Sequence, residues 1–180
     1  QSMKRFNLIN LTTKKLKQKD ILSICKLKNS YWPWTLSNQV KWFKSNVKKM
    51  DINVMLIYEK KLVGYTLLRK RKAYQNNKQF NYLYFDTFLI HKNLRKQGAG
   101  EALVLFNNKV IKKLKKTAFL ICSANIVKFY LKYSWKLIPK KSFKMVDHET
   151  RWFKKKSNIF GMTYNFDKKF NKKIYFYLKN

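Results

Sequence analysis

The chain has 180 residues, 46% of them hydrophobic, with 42 Lys and Arg against 8 Asp and Glu for a formal net charge of +34; this length and apolar content suit one globular domain with a real core. No apolar run approaches the roughly 18 residues of a membrane helix, so the expectation is a cytoplasmic protein without a membrane span. Two cysteines in apolar surroundings, Cys25 and Cys122, give no disulfide framework, and two histidines, His91 and His148, stand at no metal-ligand spacing, which excludes a zinc site and a His-based triad.

Gln1 and Ser2 ahead of Met3 read as an expression-tag remnant, leaving 3–180 as a single mixed α+β domain. Residues 6–11, FNLINL, alternate as a strand, and Asp20 opens a helical pattern through Ile21, Ile24, Cys25 and Leu27. YWPWTLS breaks it at Pro33, and Thr35 or Ser37 then caps a second helix carrying Val40, Phe43 and Val47 on one face. INVMLIYE, a Lys60-Lys61 turn and LVGYTLLRKRK form a hairpin. After a polar QNNKQ loop, FNYLYFDTFLI reads as a long strand, followed by the loop HKNLRKQGAG and a helix with Leu103, Phe106, Val110, Ile111 and Leu114 on one side. AFLIC is a buried strand, ANIVKFYLKY a short helix and WKLI another strand. SFKMVDHETRWFKKK reads as a loop or ribbon, IFGMTYNF as a strand and KKIYFYLKN as a final strand.

A charge of this size ordinarily points to nucleic acid or another polyanion. The lysines, however, are spread along the chain, as in Lys14-Lys15, Lys48-Lys49, Lys112-Lys113 and Lys140-Lys141. The same chain is rich in Asn, Ile, Phe and Tyr and poor in Ala, Gly, Pro and Arg, the signature of an AT-biased genome. Both features favour a solvated surface over one binding stripe. A basic RNA-binding module is the second class of reading.

Strand, glycine loop and helix in that order present backbone N–H groups and the positive end of a helix dipole, for which phosphate is the natural guest. The loop holds no Gly-Lys-Ser/Thr, which sets aside the nucleotide-triphosphatase loop. A dinucleotide fingerprint needs a third glycine where Leu103 stands and an acid about 20 residues on. No Asp or Glu occurs between Glu101 and Asp147, so that reading fails.

IHKNLRKQGAGEAL resembles the pyrophosphate loop of the GNAT superfamily of acetyl-CoA-dependent N-acyltransferases, of the form Gln/Arg-x-x-Gly-x-Gly/Ala. KFYLKYSW, residues 128–135, is similar to that superfamily's next motif, with Ser134 in place of the usual glycine and Ser123 in place of a frequent asparagine. The resemblance covers about residues 80–138. It implies a mixed, mostly antiparallel central sheet flanked by helices and acetyl-CoA as co-substrate. The donor would lie on Arg95, Lys96, Gln97, Gly98, Ala99, Gly100 and Glu101, with Ser123 nearby, and a kink in the preceding strand would let the backbone of Phe88, Leu89 and Ile90 polarise the thioester carbonyl.

Asp86, in the middle of YLYFDTFLI, is a carboxylate with little reason to be there unless paired or used. The resemblance makes it the base that deprotonates the amine; the alternative is a partner for a neighbouring lysine. Tyr130 would be the acid for the departing thiolate, or else a core aromatic, and Cys122 a packing thiol. Acceptor contacts would come from Tyr31, Trp32, Trp34 and His148, although Trp32 and Trp34 could instead close the core. A basic, aromatic site favours an anionic amine such as a nucleotide-linked amino sugar, and SNQVKWFKSN loosely resembles a helix of bacterial amino-sugar N-acetyltransferases. Protein N-acetylation stays open, as does a homodimer.

Overall fold

A computed structural model describes residues 5–146 and 158–179. In chain order these form β1 (Asn7–Thr12), α1 (Gln18–Tyr31), α2 (Leu36–Asn46), β2 (Ile52–Tyr58), β3 (Lys61–Gln75), β4 (Lys78–Ile90), α3 (Ala99–Lys113), β5 (Thr117–Ser123), α4 (Ala124–Lys132), β6 (Lys136–Ile138), β7 (Phe143–Val146), β8 (Ile159–Tyr164) and β9 (Ile174–Tyr177). The α+β class read from the sequence is what the structure has. Its strand pairings are mostly antiparallel, with β4–β5 and β7–β9 parallel.

Turns account for the places where elements differ from the sequence reading. The β2–β3 turn is made by Glu59 and Lys60, both left-handed at φ 49° and 62°, with Tyr58 paired to Lys61. Lys61 is therefore the first residue of β3 and not a turn residue. Two left-handed residues match the twist of antiparallel strands, and this favours a two-residue turn. Asn76 and Asn77 do the same at φ 52° and 61°. What reads as a five-residue polar loop shrinks to two, and β3 and β4 lengthen at its expense. Asparagine tolerates this conformation better than other non-glycine residues.

The structure falls into two compact units. The first comprises Gln1–Arg69 and Asp86–Val110. In it β1 pairs with β2 and β2 with β3, and Ile24, Cys25 and Leu27 of α1 with Phe43 of α2 bury against Met55, Tyr65, Leu67 and Leu89. Asp20 accepts from the Lys17 backbone N–H at 2.9 Å at the start of α1, and the Thr35 hydroxyl accepts from Asn38 N–H at 3.3 Å at the start of α2. Such a cap is worth about 1 kcal/mol. α3 is tied to β3 by a buried polar pair, Thr66 Oγ1 to Asn107 Oδ1 at 2.9 Å, while Asn107 Nδ2 donates to Leu103 O at 2.8 Å.

The second unit comprises Lys70–Phe85 and Ile111–Asn180. Here β4 pairs with β5, β5 with β8 and β8 with β6, while β9 bridges the end of β3 and β7. Its core is aromatic: the Phe119 and Phe176 rings stack at 3.9 Å, and Tyr82 meets both edge-on. Gly161 is required there, because a Cβ would lie 2.7 Å from Phe143 Cζ and 3.0 Å from Phe119 Cε2. Ser134, where the resemblance has glycine, holds φ 70°. A side chain in that conformation costs on the order of 1 kcal/mol, so Ser134→Gly is expected to raise unfolding stability by about 0.5–1 kcal/mol, read from urea midpoints.

Candidate acyl-donor loop and catalytic residues

The glycine loop lies in the first unit. A single 3₁₀ turn, Lys92–Leu94, leads out of β4, with His91 Nδ1 accepting from Asn93 N–H at 3.3 Å. Lys96 and Gly98 are then both left-handed, at φ 61° and 84°. The first helical bond of α3 runs from Ala102 N–H to Gly98 O at 3.0 Å, so the N–H groups of Ala99, Gly100 and Glu101 lie ahead of it on the first turn. A Cβ on Gly98 would meet nothing within 4 Å, so the loop opens outward. Arg95, Lys96 and Gln97 are exposed, Ala99 is buried, and Glu101 is exposed in the first turn. Left-handed steps followed by a 15-residue helix make a concave set of donors with the positive dipole end behind it. These residues fit a diphosphate by the nature of their donors.

The resemblance implies a kink in the strand before the loop, and one residue of that strand leaves extended backbone. Thr87 sits inside β4 at φ 70°. A β-branched residue there is a genuine outlier, costing about 1–3 kcal/mol and persisting where the surroundings over-determine it. Gly64 packs closely against the end of β4, since a Cβ would lie 3.1 Å from Ile90 Cδ1 and from Leu56 Cβ and 3.3 Å from Leu89 O. Beyond Thr87, Leu89 and Ile90 are buried and Phe88 is half-buried. Ile90 N–H donates to the Tyr31 hydroxyl at 3.0 Å, and that hydroxyl also bonds Ile90 O. The Tyr31 ring lies 4.9 Å from the Arg95 guanidinium. Tyr31 thus joins the end of α1 both to the end of β4 and to the loop.

Asp86, one residue before Thr87, is 28% exposed and paired with Arg69, Nη1 to Oδ2 at 3.2 Å. The pairing expected with a lysine is made by an arginine. Arg69 also donates to Asn46 O at 2.7 Å, lies 3.8 Å from the buried Asp51 carboxylate and faces the Trp42 ring at 6.0 Å. Lys28 shares this surface, its ammonium 4.1 Å from the Trp42 centroid; burial pulls its pKa down, against the opposing pull of Asp86. A carboxylate held by one arginine and still reachable by solvent can accept a proton from a ligand and pass it outward.

Tyr130 lies in the second unit on α4, 4% exposed, with Phe85 edge-on at 6.0 Å and Trp135 at 5.9 Å. Burial, with a smaller contribution from Cys122, pushes its pKa well above the ordinary phenol value. Ser123 is the N-cap residue of α4, its hydroxyl bonded to Asn125 Oδ1. Trp32 and Trp34 are each 52% exposed, so neither closes the core. His148, with residues 147–152 around it, lies outside the described residues.

No family model matches the sequence. Solved structures do: an acyl-CoA N-acyltransferase from Pseudomonas aeruginosa is similar over 88% of this chain and 99% of its own, at TM-score 0.64 and 12% identity. The ribosomal-protein-S18-alanine N-acetyltransferase from Escherichia coli is similar over 87% and 92%, at TM-score 0.58 and 13% identity. A GNAT family acetyltransferase from Staphylococcus aureus is similar over 66% and 88%, at TM-score 0.53 and 23% identity. The chain has the GNAT fold.

On that GNAT fold three residues matter that sequence reasoning did not single out: Arg69, which orients Asp86, Lys28 beside it, and Thr87 inside β4. Cys122 is a buried free thiol. Burial pushes its pKa up to about 11, so at pH 7.5 its thiolate fraction is roughly 100-fold or more below that of a free thiol near 8.5. Alkylation by iodoacetamide is expected to be correspondingly slow and to accelerate as pH rises toward that value. Among the described residues no three His, Cys, Asp or Glu gather to hold a metal, and no described helix is long and apolar enough to cross a membrane.

Proposed function

We propose that the chain is an acetyl-CoA-dependent N-acetyltransferase acting on a primary amine, favouring an anionic small molecule such as a nucleotide-linked amino sugar. The observation that carries the reading is the loop of Lys96 and Gly98, both left-handed, opening directly onto the first turn of α3. Acetyl-CoA supplies an activated acetyl thioester. The chain's part is to hold, orient and move protons.

The N–H groups of Ala99, Gly100 and Glu101 would hold the pyrophosphate, with Arg95, Lys96 and Gln97 adding charge and hydrogen bonds. The backbone of Phe88 and Leu89, just past Thr87, would meet the acyl group. Ile90 N–H is engaged by Tyr31, and would contribute only if that bond opens. Ser123, at the N-terminal boundary of the helix that carries the acid, would lie near the donor. Asp86 would take the proton of the ammonium, directly or through a water, because an alkyl ammonium has no lone pair to attack with. Tyr130 would return a proton to the departing thiolate. Its raised pKa keeps the phenol protonated and widens the mismatch with a thiol of about 8–9, so the transfer depends on placement and not on intrinsic acidity.

Exposed Trp32 and Trp34 beside Tyr31 suit stacking on a sugar or base, with His148 as a further contact. Because one similar structure is an alanine N-acetyltransferase of a ribosomal protein, peptides with free N-termini belong in the acceptor screen beside amino sugars. Tyr130→Phe is expected to slow acetyl transfer by about 10- to 100-fold with acetyl-CoA affinity unchanged, measured by thiol release and by calorimetry. Unaltered turnover would remove Tyr130 from the chemistry, and loss of folding would make it a core aromatic alone.

A further inference from the structure

The second unit contains a cavity of about 610 Å³ whose wall includes none of the residues assigned above to the donor or the acceptor. Five lysines line it, Lys112, Lys115, Lys116, Lys136 and Lys168, against one carboxylate, Asp167. Three of these complement the C-terminal end of α3, where cations are ordinarily welcome. The other two do not: Lys136 begins β6 and Lys168 follows β8, so no helix terminus accounts for them.

Two of the ammonium groups rest against aromatic rings. Lys168 Nζ rests 4.7 Å from the Phe80 centroid and Lys112 Nζ 5.8 Å from that of Tyr164, contacts that fix two cations without neutralising them. Three lining residues, Lys115, Ser134 and Asn165, are left-handed without being glycine, at φ 52°, 70° and 55°. At Lys115 the bonds Lys116 N–H to Ile111 O and Lys115 N–H to Lys112 O close α3 in the manner usually completed by glycine. Asn165 Nδ2 donates to Lys116 O at 2.8 Å, fastening the end of β8 to that turn. Five cations thus surround one pocket with a single carboxylate among them, and a multiply charged anion would complement that charge.

We propose that this cavity binds an oligophosphate, a compound with two or more linked phosphoryl groups and at most the bulk of a nucleoside triphosphate. The volume falls in the range of small-ligand sites, and lysines on flexible stems suit several phosphate oxygens as point charges. Five cations gathered round one open pocket of this size suit a compact polyanion, whereas a polynucleotide calls for an extended basic groove.

The test is calorimetric titration of sodium tripolyphosphate into the full chain at 150 mM salt. It is repeated with a Lys115→Gln/Lys136→Gln/Lys168→Gln variant and with a Lys14→Gln/Lys15→Gln/Lys49→Gln variant that removes equal charge elsewhere. Circular dichroism confirms that both variants fold. A binding event beyond any at the glycine loop, weakened at least tenfold in the first variant and less than twofold in the second, is the expected result. The proposal is overturned by equal weakening in both variants, by displacement of tripolyphosphate with saturating acetyl-CoA, or by a lysine-dependent site that takes single-stranded RNA but not tripolyphosphate. The expected pattern supports the cavity whether or not acetyl-CoA binds, so the acetyltransferase reading can fail independently.

Discussion

Replacing Asp86 with asparagine is expected to lower turnover at neutral pH by about 100- to 10,000-fold, the usual contribution of a positioned general base. Acetyl-CoA affinity should stay within about threefold, because nothing assigned to the donor is touched. Asparagine keeps the size and one oxygen for the Arg69 guanidinium, but it can take no proton from an ammonium. In transition-state terms the loss is about 3–5 kcal/mol, at 1.36 kcal/mol per tenfold. The competing view is that Asp86 serves only the ion pair with Arg69 at 3.2 Å. That view expects a fall in unfolding stability with turnover intact. The two are separated further by pH: with the base removed, residual activity should rise with pH, following the fraction of free amine. Unchanged turnover in the variant would move the base elsewhere.

Gly100→Leu should show opposite signs in binding and stability. Side chains on a helix lean toward its N-terminus, so a leucine on the first turn of α3 projects into the mouth where the first-turn N–H groups converge. Acetyl-CoA affinity is expected to fall at least about 100-fold, the loss of two or more charge-assisted hydrogen bonds. The fold should hold, since leucine is a better helix former than glycine by about 0.5–1 kcal/mol, and urea midpoints should stay or rise. A loss of binding accompanied by unfolding would mean that Gly100 is a packing residue. Binding unchanged would place the pyrophosphate elsewhere.

Much of the fold could be read from hydrophobic period and breakers: α1 from its Ile21, Ile24, Cys25 and Leu27 face, α2 from the Thr35 cap, β4 from its unbroken aromatic run. Strand ends were less legible, because Glu59 and Lys60 turn the chain through a conformation for which neither residue is a marker. The glycine loop was legible because its chemistry is local, carried by contiguous residues. Thr87 was not, since a left-handed φ at a β-branched residue inside a strand has no local sequence signature. Arg69 could have been found. Counting back from a two-residue turn at Asn76 and Asn77 sets Asp86 opposite Leu67 in a hairpin, which puts Arg69 on the same face. That count depends on the turn length, which the sequence reading made too long. Trp32 and Trp34 stayed ambiguous because tryptophan is at home both in cores and at binding surfaces.

The proposed acyl-donor site is the part on which the acetyltransferase reading depends, and calorimetric titration of acetyl-CoA into the unmodified chain tests it most directly. One-to-one binding that persists from 100 to 300 mM salt is expected, because a few fixed backbone donors and a dipole hold the pyrophosphate. Absence of binding, or heat that disappears with salt in the manner of counterion release, would contradict the account and leave a basic protein on a GNAT fold that gathers anions without a donor site.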